Sequence, residues 1–190
     1  MSRRRPEDRQ LFLFGELNDE RAATICEALL AEPEGEWTLF INSDGGSSFG
    51  ALALVNLLKA HARVDTVCLG VAMSGAADVL AAGRRRSIVP NAICMVHQVS
   101  WDLGQEFAAN LMKNAAFLER LNQQMTAMLA RDTGRSIAQL EADTVHDFYL
   151  FGQEILDYGL ADGYFDLGRL PRPRRPRRPL SAGPQPVRGR

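Results

Sequence analysis

Short apolar runs alternate with longer amphipathic segments along most of the chain. Four runs have the length of buried strands and end in glycine or polar residues: 11–15, 37–41, 66–69 and 93–97. Three intervening segments have apolar positions at helical spacing: 19–32, 49–60 and 78–82. Residues 87–91 predict a turn. The resulting order βαβαβαβ, with crossovers of helical length, predicts right-handed parallel units and an α/β layered fold.

A longer amphipathic segment follows the fourth strand. Over 105–130 apolar positions recur at steps of three and four and predict one long helix: Phe107, Leu111, Ala115, Leu118, Leu121, Met125 and Met128. Such a helix either projects to pack against another subunit or runs along the domain's own core, and the spacing favours neither. Beyond it we predict a short helix capped by Ser136, a polar loop over 143–147, a helix over 152–158 and a strand over 164–166.

The two ends of the chain differ in composition from the body between them. The 190 residues are 46% hydrophobic, which suffices for one domain with its own core. Eight arginines, six prolines and no acidic residue fall within 169–190, which we interpret as a disordered basic tail without a dedicated partner. Residues 1–168 carry 14 basic and 23 acidic residues, a net charge of −9. We therefore expect a short polar arm over 1–10, one acidic domain over 11–168, and the tail.

Several protein classes are excluded by the composition. The chain has no run of 18 apolar residues and no apolar segment of signal-peptide type, so we expect neither a membrane protein nor an exported one. The cysteines Cys26, Cys68 and Cys94 lie in separate apolar stretches and predict buried thiols of a cytoplasmic protein. With three histidines and no Cys-x-x-Cys motif, we expect no metal centre.

The strand at 66–69 leads into a turn of small residues over 70–77, Gly-Val-Ala-Met-Ser-Gly-Ala-Ala. A helical pattern follows, so the stretch predicts a strand-to-helix elbow with Ser74 at the helix N-terminus. Such a turn exposes the serine hydroxyl, and neighbouring N–H groups can hold an oxyanion. Ser74 is therefore a candidate nucleophile. The alternative is that it serves only as the helix N-cap.

A serine nucleophile requires a base within hydrogen-bond reach and an acid that orients the base. His97 ends the fourth predicted strand, at the carboxyl edge of a parallel sheet, where α/β sites are built. His61 and His146 qualify as bases only if the fold turns them inward. Asp147, in the polar loop before the last helix, is the candidate acid, and Asp143 is its nearest rival.

Four stretches, taken in order, resemble motifs of the Clp protease proteolytic subunit, the ClpP family. Residues 41–46, Ile-Asn-Ser-Asp-Gly-Gly, resemble its Ile-Asn-Ser-Pro-Gly-Gly, and 70–76 resemble its Gly-Gln-Ala-Ala-Ser-Met-Gly. Residues 90–98 are similar to Pro-Asn-Ser-Arg-Val-Met-Ile-His-Gln. Residues 143–162 are similar to Asp-Thr-x-x-Asp followed by Glu-Tyr-Gly-Leu-x-Asp. The similarity covers about 11–165.

The resemblance implies a complete serine peptidase site and a ring assembly. Ser74 would be the nucleophile, His97 the base and Asp147 the orienting acid, with the N–H groups of Gly46 and Gly75 as the oxyanion hole. The family fold is the ClpP/crotonase-like layered fold, whose handle helix joins stacked seven-membered rings around a chamber. A AAA+ unfoldase is the family's partner and feeds it unfolded chains. The resemblance implies no metal and no organic cofactor.

Three functions follow as hypotheses. The first is a serine endopeptidase subunit, a cytoplasmic homo-oligomer of ATP-dependent proteolysis that hydrolyses unfolded polypeptides. The alternative is a non-catalytic or weakly active ring subunit that assembles with an active paralogue. That alternative is favoured by the short N-terminal segment and by Asp44 in place of the family's proline, and the intact triad opposes it. A crotonase-type acyl-CoA enzyme shares the wider fold but would not need the three triad residues together. Gly75 and Asp78 also depart from the family, replacing a methionine and an apolar residue.

Overall fold

A twisted, mainly parallel sheet is the frame of the protein. The structure, a computed structural model, describes residues 9–100 and 108–169. Its strands there are β1 (Gln10–Phe14), β2 (Trp37–Ser43), β3 (Val64–Met73), β4 (Arg86–Ile88), β5 (Ile93–Val96), β6 (Phe148–Phe151) and β7 (Gly163–Tyr164). Its helices are α1 (Asp19–Ala31), α2 (Ser48–His61), α3 (Gly75–Ala81), α4 (Ala108–Thr133), α5 (Ile137–Asp143) and α6 (Gln153–Tyr158), with a 3-10 turn at Leu167–Arg169. The predicted α/β fold is confirmed.

Strand β3 is the branch point of the sheet. The first half of β3 pairs with β4, in register Thr66 to Arg86, and its second half pairs with β5, in register Met73 to Met95. The parallel order β1-β2-β3-β4-β7 therefore forms one path, while β5 and its antiparallel partner β6 form a branch. The end of β3 is consequently held by β5 on one side, and this end carries the elbow.

Helices α1 and α2 are stabilised by side-chain caps at their N-termini and by apolar faces that pack against the sheet. The Asn18 side chain accepts a hydrogen bond from the Arg21 N–H at the start of α1, and the Ser47 hydroxyl accepts one from Gly50 at the start of α2. The apolar faces of both helices join one core cluster with β2 and β3. Helix α2 ends at Ala62, whose left-handed φ of 55° closes the last turn.

Two short strands depart from the predicted local structure. The turn predicted over 87–91 is present at Pro90 and Asn91, but residues 87 and 88 belong to β4, a strand of three residues that lies between β3 and β7. Strand β6 lies directly after the predicted polar loop and was not predicted. Each strand is short and carries polar or exposed positions, so it is defined by its partners in the sheet rather than by its own pattern.

The C-terminal half of α4 packs in the core of its own domain, whereas its N-terminal half exposes apolar side chains. In the C-terminal half, which packs against α3 and α5, the predicted apolar positions Leu121 and Met125 are buried. Toward the N-terminus the same helix exposes large apolar side chains, with Leu111 at 46% and Met112 at 76% of full exposure. The predicted start at 105, the basic tail beyond 169 and most of the polar arm lie outside the described residues. None of the described helices is long and apolar enough to cross a membrane.

Candidate active site

The predicted elbow is present at the end of β3. Ser74 has φ 53° and ψ −133°, a conformation that is rare for a residue with a side chain. Its N–H donates to the Met95 carbonyl at 2.8 Å, which fixes the turn against β5. Its side chain makes no cap hydrogen bond to α3, so the alternative prediction of a simple N-cap is not supported. The Ser74 hydroxyl is therefore available to a group outside the helix.

The Ser74 hydroxyl meets His97. The His97 Nε2 atom lies 2.8 Å from Ser74 Oγ. This contact follows from the sheet, because β3 and β5 run parallel in register and each residue leaves its strand at the same edge. With the ring proton on Nδ1, the imidazole accepts the hydroxyl hydrogen at Nε2.

The other ring nitrogen faces Asp147. His97 Nδ1 lies 3.2 Å from Asp147 Oδ1, and the Tyr149 hydroxyl donates to Asp147 Oδ2 at 3.4 Å. Strands β5 and β6 are antiparallel with Val96 opposite Phe148, so the residue after one strand lies beside the residue before the other. The unpredicted strand β6 is thus what brings the two predicted residues together.

The competing candidates lie elsewhere. Asp143 ends α5 and accepts a hydrogen bond from the Tyr158 hydroxyl at 2.9 Å. His61 lies near the backbone carbonyl of Glu32 at 3.3 Å, and His146 is exposed. Within the described residues, none of these three contacts Ser74 or His97 through a hydrogen bond.

A glycine turn after β2 packs against the elbow. Gly45 and Gly46 have φ values of 92° and 143°, which residues with side chains rarely adopt. The N–H of Leu17 donates to the Gly45 carbonyl, and the N–H of Ser47 donates to the Leu17 carbonyl. These two hydrogen bonds form an isolated β-bridge between Leu17 and Gly46, which holds the turn and does not involve the Gly46 N–H. A Cβ on Gly45 would lie 2.7 Å from the Cβ of Ser74, so the glycine turn and the Ser74 elbow are in contact.

One cavity opens beside the serine and the histidine. It has a volume of about 260 Å³, and Ser74, His97, Gly46 and Gly75 line it together. Asp44, the residue that replaces the family's proline, is exposed and also contributes to the lining. The wall opposite the serine comes mainly from α4 and α5: Asn122, Met125, Thr126, Leu129, Leu140 and Thr144. The predicted site residues other than Asp147 therefore share one cavity wall, and Asp147 stands behind His97.

The cavity also contains an acid that sequence analysis noted only as a departure from the family pattern. Asp78 lies on α3, one helical turn after Ser74, and its side chain lines the cavity. Burial and then the neighbouring Asp132 carboxylate raise the pKa of Asp78 to about 7. The available sequence signal was a lone acid in an otherwise small and apolar helix. Only the packing of α4 over α3 shows that this acid faces the cavity.

Replacing Asp78 by asparagine will stabilise the fold more at alkaline pH than at acidic pH. A folded-state pKa above the unfolded value means that folding favours the protonated acid, so the contribution of Asp78 to stability falls as pH rises from about 4 to about 7. Asparagine is neutral throughout and avoids this loss. We expect a gain in Tm of about 2–4 °C at pH 8 and a smaller gain at pH 5, measured by scanning calorimetry. Equal shifts at both pH values would contradict the assignment of the buried charge.

Comparison with known proteins identifies the family. The family model for Clp protease matches residues 2–166. The ATP-dependent Clp protease proteolytic subunit 1 of Corynebacterium glutamicum is 36% identical over 173 residues, covering 87% of this chain and 83% of the relative. Subunit 1 of Corynebacterium diphtheriae is 37% identical over 172 residues, with coverages of 86% and 82%. Subunit 3 of Nocardia farcinica is 37% identical over 172 residues, with coverages of 86% and 78%. Because the family model matches most of the chain and the relatives are more than 30% identical to it over most of their length, the chain belongs to the Clp protease family.

Proposed function

We propose that this chain is the proteolytic subunit of a Clp-type protease and hydrolyses peptide bonds with Ser74, His97 and Asp147. The observation that carries the proposal is the continuous contact from Asp147 to His97 at 3.2 Å and from His97 to Ser74 at 2.8 Å. An acid, an imidazole and a hydroxyl in this order form the arrangement that activates a serine for acyl transfer.

The proposed reaction proceeds through an acyl-enzyme. Ser74 Oγ attacks the carbonyl carbon of the scissile bond while His97 Nε2 takes the hydroxyl proton. The N–H groups of Gly46 and Gly75 donate to the resulting oxyanion. The tetrahedral intermediate collapses, the C–N bond breaks, and His97 returns the proton to the leaving amine. Water then attacks the ester with His97 again as base, and Ser74 is released.

Asp147 acts through His97 and does not touch the substrate. It accepts the Nδ1 hydrogen, which keeps Nε2 free to accept a proton, and it stabilises the imidazolium that forms. The side chain of Asp147 is about half exposed, so solvent weakens this interaction. The Tyr149 hydroxyl holds its second oxygen and limits rotation of the carboxylate.

The proposed working form is a ring of identical subunits in the cytoplasm. The exposed apolar side chains on the N-terminal half of α4 support a subunit contact there, because Leu111 and Met112 cover no core of their own domain. The free thiols of Cys26, Cys68 and Cys94 suit a reducing compartment. The relatives are named ATP-dependent Clp protease subunits, so we propose unfolded polypeptides as substrates and a AAA+ unfoldase as the supplier.

A serine-directed fluorophosphonate tests the proposal. The probe should add once per chain, as measured by intact mass, and fragmentation should locate it on Ser74. A Ser74→Ala variant should stay unlabelled. A Ser87→Ala variant is the matched control, because Ser87 lies on β4 away from the cavity, and it should label like wild type. Labelling that persists in Ser74→Ala would show that the nucleophile is another residue.

A further inference from the structure

We propose that Asp78 is a specificity-determining residue that makes this cavity select a lysine or arginine side chain at P1, the substrate residue whose carbonyl is attacked. The inference rests on the proposed peptidase function. It concerns which bond is cut, whereas the triad concerns how it is cut.

The position of Asp78 relative to the nucleophile carries the first step. Helix α3 starts directly after Ser74, so Asp78 follows the serine by four residues and lies on the same helix face. Asp78, Ser74 and His97 line the same cavity of about 260 Å³. A P1 residue has its carbonyl at Ser74, and its side chain therefore enters the space that Asp78 borders.

The carboxylate of Asp78 has no partner of its own. Over 9–100 and 108–169, no group donates a hydrogen bond to its side chain and no cation pairs with it. Its neighbour Asp132 differs, because the Lys59 ammonium lies 2.9 Å from it and the Arg131 guanidinium 3.2 Å. Among the described residues, Lys59 and Arg131 therefore form ion pairs with Asp132 and none with Asp78. A cationic side chain of the substrate would supply the partner that the Asp78 carboxylate lacks among the described residues.

Among the described residues, no cation forms an ion pair with Asp78. The described elements packed against α3 carry several titratable groups: Lys59 and His61 on α2, Asp65 and Cys68 on β3, Cys94 on β5, and Lys113, Glu119, Arg120, Arg131 and Asp132 on α4. Of the described titratable residues, Asp44 and His97 line the cavity together with Asp78. Lys59 and Arg131 form ion pairs with Asp132, at 2.9 and 3.2 Å. The thiols lie in the core and away from the cavity lining.

The cavity wall suits a long side chain with a charged end. Met125, Leu129 and Leu140 supply apolar contacts for the methylene stem of lysine or arginine. Asn122 and Thr126 add polar groups on the same wall. A P1 ammonium or guanidinium would form a charge-assisted hydrogen bond with Asp78. A neutral apolar P1 side chain would instead leave the acid buried without a partner.

The preference for a cationic P1 residue should increase with pH. Burial and the Asp132 charge raise the pKa of Asp78 to about 7, so the acid is mostly protonated at pH 6 and mostly ionised at pH 8. Only the ionised acid attracts the substrate cation. The ratio of kcat/KM for a lysine substrate over a neutral one should therefore rise between these pH values, whereas events at His97 affect both substrates alike.

The test compares peptides that differ only in the P1 charge. Pairs with lysine against norleucine, and arginine against citrulline, should be assayed with wild type, Asp78→Asn and the charge-removal control Glu27→Gln on an exposed face of α1. We expect wild type and Glu27→Gln to favour the cationic member at least about tenfold in kcat/KM at pH 8. Asp78→Asn should lose the preference and still cleave the neutral member. A wild-type protein that cleaves both members equally, or prefers the neutral one, would overturn the proposal.

A binding measurement separates this proposal from the peptidase function. In Ser74→Ala protein, a short peptide that ends in lysine should bind at least about tenfold more tightly than one ending in norleucine, and Asp78→Asn in the same background should remove the difference. Absence of Ser74-dependent hydrolysis with this affinity difference intact would reject the catalytic proposal and keep the role of Asp78. Equal affinities of the two peptides would reject the role of Asp78.

Discussion

Ser74→Ala will reduce hydrolysis of a small fluorogenic peptide to the background rate, a loss of about 10⁴-fold or more in kcat. Removing the hydroxyl eliminates the proposed attacking atom, while His97 and the glycine turn keep their positions. KM should change little, because the hydroxyl contributes to bond making rather than to substrate contact. The assay is initial-rate fluorescence with small peptides that carry either a basic or a neutral P1 residue, so it does not depend on the role of Asp78. A small peptide needs no unfoldase to reach the site.

The control for this experiment is the assembly state. Native mass spectrometry on the same samples should give one oligomer for wild type and Ser74→Ala. A fully assembled wild-type ring without turnover would favour the non-catalytic or weakly active subunit, which needs an active paralogue. Turnover that survives in Ser74→Ala would contradict the assignment of the nucleophile.

Gly45→Ala will lower peptidase activity at least about 100-fold and destabilise the fold. The added Cβ would lie 2.5 Å from the Met73 carbonyl oxygen and 2.7 Å from the Ser74 Cβ, distances at which atoms must move. The backbone at φ 92° also disfavours any side chain. A shift of the elbow by about 1 Å is enough to misplace Ser74 relative to His97. Initial rates and thermal unfolding on the same preparation measure the two effects.

Gly134→Ala is the matched control for the steric part of this effect. Gly134 has a similar positive φ of 75°, yet a Cβ there would meet no described atom within 4 Å. Alanine at this position therefore carries the backbone strain without the collision. We expect Gly134→Ala to lose about 1–2 kcal/mol of stability and to keep its activity. Equal activity losses in both variants would show that contact with the elbow is unimportant.

The main sheet and the candidate residues were accessible from sequence because their signals are local. Each βα unit combines a short apolar run, a turn and an amphipathic segment, and these patterns predicted β1, β2, β3 and β5 with their intervening helices, but not β4. Small residues around Ser74 predicted the elbow for the same reason. The structure adds the positive φ of Ser74 and the close approach of Gly45 to it, neither of which the sequence pattern specifies.

The contacts that complete the site depend on the tertiary structure. His97 and Asp147 are separated by 50 residues, and their proximity follows from the antiparallel register of β5 and β6. No pattern in Phe148–Phe151 specifies that partner strand. The cavity position of Asp78 similarly depends on α4 crossing α3, which places Asp132 beside it. The sequence pattern identifies apolar residues, but it does not identify the tertiary neighbours that pack around a polar residue such as Asp78.

The separation between His97 and Asp147 has a consequence for the order of folding. The elbow and His97 belong to neighbouring units of the sheet, whereas Asp147 arrives only after the chain has passed through α4 and α5 and returned to β5. Closing the longer loop costs more entropy, so its contacts form later. A nascent or partly folded chain therefore holds a serine and an imidazole without the orienting acid. Under the proposed mechanism, such a chain has a weaker peptidase activity than the folded protein, which limits premature cleavage of itself and its neighbours.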